Sequence, residues 1–138
     1  MSEPKTLRVM VGLCLDDDRI LITRRPDDTH LALKWEFPGG KPEGDEDNHA
    51  ALQREFLEEV GLTIEVGRLF HEKVFTYPER RVHLFFYLVR TPIPQALSLR
   101  QVADAKWVPF SALVDEDFPP ANAELLDCLR RDQPRFSA

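Results

Sequence analysis

The stretch from Gly40 to Leu62, GKPEGDEDNHAALQREFLEEVGL, restricts the fold of this chain more than any other. Glu55, Glu58 and Glu59 stand at i, i+3 and i+4, which gathers them within roughly a third of a helix circumference at about 100° per residue. With Leu52 as origin, Glu58, Glu55 and Glu59 point near about 240°, 300° and 340°, and Phe56, Val60 and Leu57 near about 40°, 80° and 140°. The segment is therefore a helix with one apolar and one carboxylate face, and the apolar face demands a partner layer. On spacing alone a solvated acidic face is the simpler reading, because like charges at i,i+4 cost only a few tenths of a kcal/mol in water. In a cleft, two carboxylates about 5 Å apart repel by about 3 kcal/mol at an effective dielectric near 20, which invites a divalent cation.

The flanks favour the cleft. Phe37-Pro38-Gly39-Gly40 lies just upstream, after an apolar and aromatic approach through Leu31, Leu33 and Trp35. Paired glycines let the backbone come close to a ligand, and Pro38 stiffens the entry. Gly61 falls where a helix C-terminus wants a left-handed residue. A glycine-rich loop feeding an acidic helix suits a hard cation on phosphate, since Mg2+ takes carboxylate, carbonyl and phosphate oxygens. No Cys or His cluster competes for a softer metal.

The remaining chain reads as strands and helices without repeats. Leu7 to Leu15 and Ile20 to Arg24, separated by Asp16-Asp17-Asp18, suggest a β-hairpin; Ile64 to Tyr77 and Arg81 to Arg90 suggest a longer strand pair turning at Pro78-Glu79. Ala105 to Val108 is a short strand. Asp47 to Val60 is the acidic helix, Ser111 to Val114 a helical turn, and Asn122 to Arg131 a C-terminal helix with Leu125, Leu126 and Leu129 as its apolar stripe. The expected class is α/β, of the α+β kind, with a mixed sheet between helices. At 138 residues, 43% hydrophobic and 30% charged, the chain suits one globular domain spanning residues 1–138.

A formal charge of −6 argues against a nucleic-acid polymer or a membrane surface as partner, because both demand dense Lys and Arg. A small nucleotide, whose charge a metal and a few local arginines can meet, stays in play. Cys14 and Cys128, far apart in a chain without a signal peptide or transmembrane run, read as reduced thiols of a cytoplasmic protein. The sequence leaves monomer and dimer open. His49, His71 and His83 read as packing or surface residues, Trp35 and Trp107 as core or cleft wall, and Phe85-Phe86-Tyr87 as strand packing.

Gly40, five residues, Glu46, seven residues and then Arg54-Glu55-Phe56-Leu57-Glu58-Glu59-Val60-Gly61-Leu62 resemble the Nudix hydrolase signature, with nine specified positions matched over 23 residues. The resemblance implies a Nudix-type α/β/α sandwich and looks closest to the MutT-like branch, the 8-oxo-dGTP diphosphatases that sanitise the nucleotide pool. Ile22-Thr23-Arg24-Arg25, Asp28, His30, Lys34, Glu36-Phe37-Pro38-Gly39-Gly40, Tyr77-Pro78-Glu79-Arg80 and Asp117-Phe118-Pro119-Pro120-Ala121-Asn122 carry it over roughly residues 7 to 131.

By that resemblance Gly39 offers a backbone carbonyl, and Glu55, Glu58 and Glu59 their carboxylates, to one or more Mg2+ ions, for which Mn2+ can substitute. Glu55 is the candidate general base. Arg54 is expected to fork onto Glu46 or Glu58 and fix the carboxylate geometry. The implied reaction takes a nucleoside triphosphate and water to the monophosphate and pyrophosphate, through attack at the β-phosphorus.

Arg25, His30, Glu36, Phe37, Pro38, Arg80 and Asn122 are implied around the nucleotide, where Asn122 can present both a donor and an acceptor to a purine edge. Following Pro119-Pro120, Asn122 reads equally as a helix N-cap. A pyrimidine triphosphatase acting on CTP or 5-methyl-dCTP is the alternative, although those relatives typically carry Asp at the position of Asn122. A module that binds nucleotides without turnover is remoter, since no signature glutamate is missing. One departure stands out: the branch has a carboxylate on the loop before the last strand where this chain has Gln101. Either Glu55 does the base work alone or Asp104 assists.

Overall fold

The computed structural model describes residues 5–26 and 34–137. Its elements are β1 (Lys5–Asp16), β2 (Arg19–Arg24), β3 (Trp35–Glu36), β4 (Gly39–Gly40), α1 (Asn48–Val60), β5 (Glu65–Thr76), β6 (Arg80–Arg90), β7 (Asp104–Pro109) and α2 (Ala123–Asp132). Three 3-10 turns, at Phe110–Ala112, Asp115–Asp117 and Pro120–Asn122, join β7 to α2. The first of these falls one to two residues ahead of the turn expected at Ser111 to Val114. Asp28, His30, Leu31 and Leu33 lie outside the described residues.

The strands form one mixed sheet in the order β3-β2-β1-β6-β5, with β4 added to β1 and β7 to β2. All pairings are antiparallel except β1 with β6, which run parallel over ten consecutive pairs from Lys5↔Arg80 to Cys14↔Val89. The hairpin expected between β1 and β2 is present, but it is short. β1 and β2 do meet across a two-residue turn at Asp17-Asp18, with Asp17 in the left-handed region at φ 55°, but share only the pairs Leu15↔Ile20 and Asp16↔Arg19. The rest of β1 is claimed by β6, and β2 pairs over its whole length with β7.

Burial on both faces explains the long apolar run of β1. On one face Val11, Leu13 and Leu15 pack with Phe86 and Leu88 against Leu125, Leu126 and Leu129 of α2. On the other, Met10 and Cys14 pack with Tyr87 and Val89 against Leu52, Phe56 and Val60 of α1. The two helices thus cover opposite faces, which is the expected α/β/α sandwich. Gly12 makes room for α1: a Cβ there would stand 2.2 Å from the Phe56 ring. Cys14 is fully buried, and that burial pushes its thiol up to about 12, so it packs as an inert apolar group.

α1 begins and ends on local chemistry. The Asp47 side chain accepts the Ala50 N–H at 2.8 Å, and Gly61, at φ 70°, turns the chain out while its N–H reaches the Leu57 carbonyl at 3.1 Å. The loop after β6 then closes over the helix end: Ser98 N–H donates to the Val60 carbonyl at 2.9 Å, and the Arg100 and Gln101 amides to the Glu59 carbonyl at 3.0 and 3.2 Å. Gln95 steadies this loop by exchanging side-chain hydrogen bonds with both backbone groups of Thr63, at 2.9 and 2.8 Å. Among the described residues no helix is long and apolar enough to cross a membrane.

Candidate active site

The three glutamates of α1 share a face but not an environment. Glu59 is 9% exposed, the Glu55 side chain 16% and the Glu58 side chain 41%. Burial, then the adjacent Glu55 carboxylate, then the charge of Glu36, hold the Glu59 carboxyl well above the ordinary carboxylate range; the Gly39 N–H, donating to Glu59 Oε2 at 3.2 Å, opposes the shift only weakly.

Gly39 reaches Glu59 because β4 lies unusually close to β1, where Val11↔Gly39 and Met10↔Gly40 pair. A Cβ on Gly39 would stand 2.1 Å from the Met10 carbonyl oxygen, and one on Gly40 2.4 Å from Cδ of Glu55. Gly39 is required by the close approach of β4 to the β1 backbone, whereas at Gly40 a side chain would displace the Glu55 carboxylate. The contact formed at Gly39 is through its N–H. The Pro38 carbonyl is taken by the Gly12 N–H at 2.8 Å, which pins the turn into β4.

Arg54 organises the rest. Its Nε and Nη2 fork onto the two oxygens of Glu46 at 2.8 and 3.0 Å, Nη1 reaches Glu55 and Glu58 at 3.1 Å each, and Nη2 also donates to the Lys41 carbonyl at 2.9 Å. The expected fork therefore falls on Glu46, and the same guanidinium also holds Glu55 and Glu58. Glu46 is held below the ordinary carboxylate range, first by that hydrogen bond from Arg54 and then by the Glu43 backbone, while Arg54 is held more firmly protonated. One side chain thus ties the loop before α1 to two carboxylates on α1.

Among the described residues, no three acidic or imidazole side chains converge on one point as they stand, because Glu58 turns to Arg54. The donor set nonetheless fits a hard divalent cation: its side-chain ligands are all carboxylate oxygens, Glu55 and Glu59 already face each other, and the missing side chain of Gly40 makes room for the Glu55 carboxylate.

A cavity of about 410 Å³ lies on the other side of β4, lined by Arg25, Glu36, Phe37, Gly39 and Asn122 together with Val9, Val11, Leu84, Phe86 and Pro119. Arg25 Nη1 donates to Glu36 Oε2 at 2.8 Å. Burial raises Glu36 above the ordinary range, and the Arg25 charge only partly offsets it. Phe37 stacks on Phe118, with centroids 5.4 Å apart and planes 21° from parallel. Asn122 sits in the 3-10 turn with αR backbone and makes no side-chain capping bond to α2, whose regular turns begin at Ala123. Asn122 thus occupies the N-cap position without capping the helix through its side chain, and it lines the cavity.

Arg80 is exposed at the start of β6 and does not line this cavity; by strand alternation it shares the face of Leu84 and Phe86, farther along the same strand. Pro38 contributes its carbonyl to Gly12, and His30 is outside the described residues. Gln101 is exposed and touches α1 by its backbone alone, whereas the Asp104 carboxylate accepts the Ala105 N–H at 2.8 Å. Gln101 is neutral, and the Asp104 carboxylate makes its hydrogen bond within its own strand. His71 and His83 pair with Glu124 and Glu72, and His49 packs edge-on to Tyr87 at 5.3 Å, so all three are structural. The apolar wall of the cavity, Val9, Val11, Leu84 and Phe86, was not foreseen; the alternation along β1 and β6 carries it once their parallel register is known.

An acidic helix with a forked arginine, a glycine pair against its carboxylates and this sandwich are the features of a Nudix domain, and the Nudix domain family model matches residues 9–128: the chain belongs to that family. It is a Nudix hydrolase, and membership carries that family's general need for a divalent metal. The 8-oxo-dGTP diphosphatase of Escherichia coli (strain K12) is 37% identical over 128 residues, covering 92% of this chain and 98% of that protein. A CTP pyrophosphohydrolase of the same organism is 36% identical over 80 residues, 58% of this chain and 59% of its own length. Among solved structures, that of the E. coli ORF135 protein is similar with a TM-score of 0.79, at 29% identity and 95% coverage of both chains.

Proposed function

We propose that the chain acts as a single domain, residues 1–138, hydrolysing an oxidised purine nucleoside triphosphate, 8-oxo-dGTP in type, to the monophosphate and pyrophosphate with Mg2+ as the working metal, in the cytoplasm. The observation that carries the reading is the adjacency of two sites across β4: a base-sized cavity faced by Asn122, Phe37 and Arg25, and the Glu55/Glu59 pair on α1. The similarity to the E. coli 8-oxo-dGTP diphosphatase over almost the whole chain supports the substrate.

Glu55, Glu58, Glu59 and Gly39 would hold the cation, which when bound neutralises phosphate charge and acidifies water. Glu55, packed against Gly40, would accept the proton of the attacking water. Arg54 keeps Glu55 and Glu58 in register with the loop before the helix. In the cavity the purine edge meets the Asn122 amide, while Phe37, braced by Phe118, supplies an apolar surface. Arg25, held by Glu36, puts positive charge at the base end, and Arg80 on the same face extends it outward.

The deciding measurement is pyrophosphate release with Mg2+ from 8-oxo-dGTP, dGTP, CTP and 5-methyl-dCTP. The reading expects kcat/KM for 8-oxo-dGTP to lead the others by at least about tenfold. A lead for the pyrimidines transfers the assignment to the CTP-type reading that the second E. coli relative suggests. Asn122 provides a sharper version. Because it caps nothing, Asn122→Ala should change the melting free energy by under about 0.5 kcal/mol while cutting kcat/KM on 8-oxo-dGTP by about 10- to 100-fold. A stable variant with wild-type selectivity would remove Asn122 from base reading.

A further inference from the structure

A second cavity, of about 430 Å³, opens on the opposite side of β4 from the base cavity and is lined by Leu7, Arg8, Lys41, Pro42, Glu43, Gly44 and Glu55. Two cations, Arg8 and Lys41, therefore border the same space as the reaction-face carboxylate Glu55, on a chain whose formal charge is −6. Among the described residues neither has a carboxylate within salt-bridge distance. The acids nearby are otherwise engaged: Glu43 approaches Arg54 at 3.6 Å, and its N–H is held by Glu46 at 2.8 Å.

The Arg8 guanidinium and the Lys41 backbone are both held. Arg8 Nη1 donates to Asn48 Oδ1, and Asn48 Nδ2 in turn donates to the Tyr87 hydroxyl at 3.0 Å, so the guanidinium is anchored on one side and free on the other. The backbone of Lys41 is fixed because its carbonyl accepts from Arg54. Gly44, at φ 54°, has nothing within 4 Å of where a Cβ would stand, which leaves the mouth open.

We propose that this cavity receives the two distal phosphates of the substrate, and the pyrophosphate product, with Arg8 as their principal side-chain anchor. The inference rests on the triphosphatase reading and assigns the polyphosphate to a definite place. A nucleoside triphosphate is longer than the base cavity, and its phosphates must cross the Glu55/Glu59 pair to be cleaved. With the base on the Gly39 side of β4, the chain of phosphates emerges beside Glu55, where Arg8 and Lys41 stand. A guanidinium held by one neighbour keeps donors free for planar, two-point recognition of a phosphate.

The test is calorimetric titration of inorganic pyrophosphate with Mg2+ into the wild type, Arg8→Gln and Arg8→Lys, together with 8-oxo-dGMP as a separate titrant. Arg8→Gln keeps a donor for Asn48 and removes the charge. Its pyrophosphate affinity should fall by about tenfold, that of Arg8→Lys by about threefold at most, and monophosphate affinity should not move. KM for the triphosphate should rise in parallel while kcat holds within about threefold. Pyrophosphate affinity equal to wild type in Arg8→Gln, or an equal loss of both ligands, overturns the assignment. The pyrophosphate titration needs no turnover: a loss of affinity there alongside a silent nucleotide panel would reject the triphosphatase reading and leave the anion site standing.

Discussion

Glu59→Gln should abolish nearly all turnover and, in the absence of metal, make the protein more stable. The activity loss is expected at about three orders of magnitude, about 4 kcal/mol of transition-state stabilisation, because a neutral amide at this position neither balances a cation nor completes the pair with Glu55. The stability gain follows from burial. Glu59 is held above its ordinary value of 4.5 in the folded protein, so below that value both folded and unfolded chains carry the proton and nothing is lost. As pH rises from that value to the folded one, about 9, the unfolded chain ionises more readily than the folded one, and stability drains away.

Metal-free wild type should therefore lose melting temperature between about pH 5 and about pH 9, whereas Glu59→Gln should hold level and overtake it. Saturating Mg2+ should reverse the order, raising the wild type and leaving the variant unmoved. Parallel melting curves across that pH range, with the same response to metal, would show that Glu59 is not the strained member of the pair.

Arg54→Gln should be nearly as damaging, by a different route. Removing the guanidinium leaves Glu46, Glu55 and Glu58 without their shared counter-charge and frees the Lys41 carbonyl, so the segment from Lys41 to Glu46 loses its tie to α1. A fall in kcat of about 100- to 1,000-fold is expected, with weakened Mg2+ binding and faster amide exchange over residues 41 to 46. Arg54→Lys should recover little, since a point charge cannot fork onto Glu46 and reach two further carboxylates. A Lys variant within fivefold of wild type would mean that charge, and not the fork, is what the site requires.

The parts of this molecule that could be read from its sequence are those fixed by neighbours along the chain. α1 was placed within a residue because Asp47 caps it and Gly61 ends it; the period placed Leu52, Phe56 and Val60 correctly in the core, but Leu57, expected on the same apolar face, stands 47% exposed because it lies at the edge of that face, beyond the reach of the sheet. Arg54 was expected to bind one glutamate; it binds three, because the loop carrying Glu46 folds back over the helix. Spacing treated Glu55, Glu58 and Glu59 as equals, since a helical wheel contains no information on what covers it; the approach of β4 makes Glu59 the buried member.

β3 and β4, at two residues each, are too short to show alternation. The parallel pairing of β1 with β6 was missed because nearest-neighbour turn signals at Asp16 to Asp18 pointed to a longer hairpin. Asn122 was legible as a polar residue before a helix, but that its side chain leaves the helix uncapped depended on the 3-10 turn in which it sits.

That parallel pairing has a kinetic side. It joins residues about 75 positions apart in the chain, so its closure cost falls late and slows folding relative to the local hairpin and helix. α1 can form early on its own caps, but Glu59 meets Gly39 only once β4 is seated on β1, and β1 takes its place in the sheet through β6. A growing chain that has not yet reached Arg80 carries every residue of the motif from Gly40 to Leu62 and still lacks a reaction face.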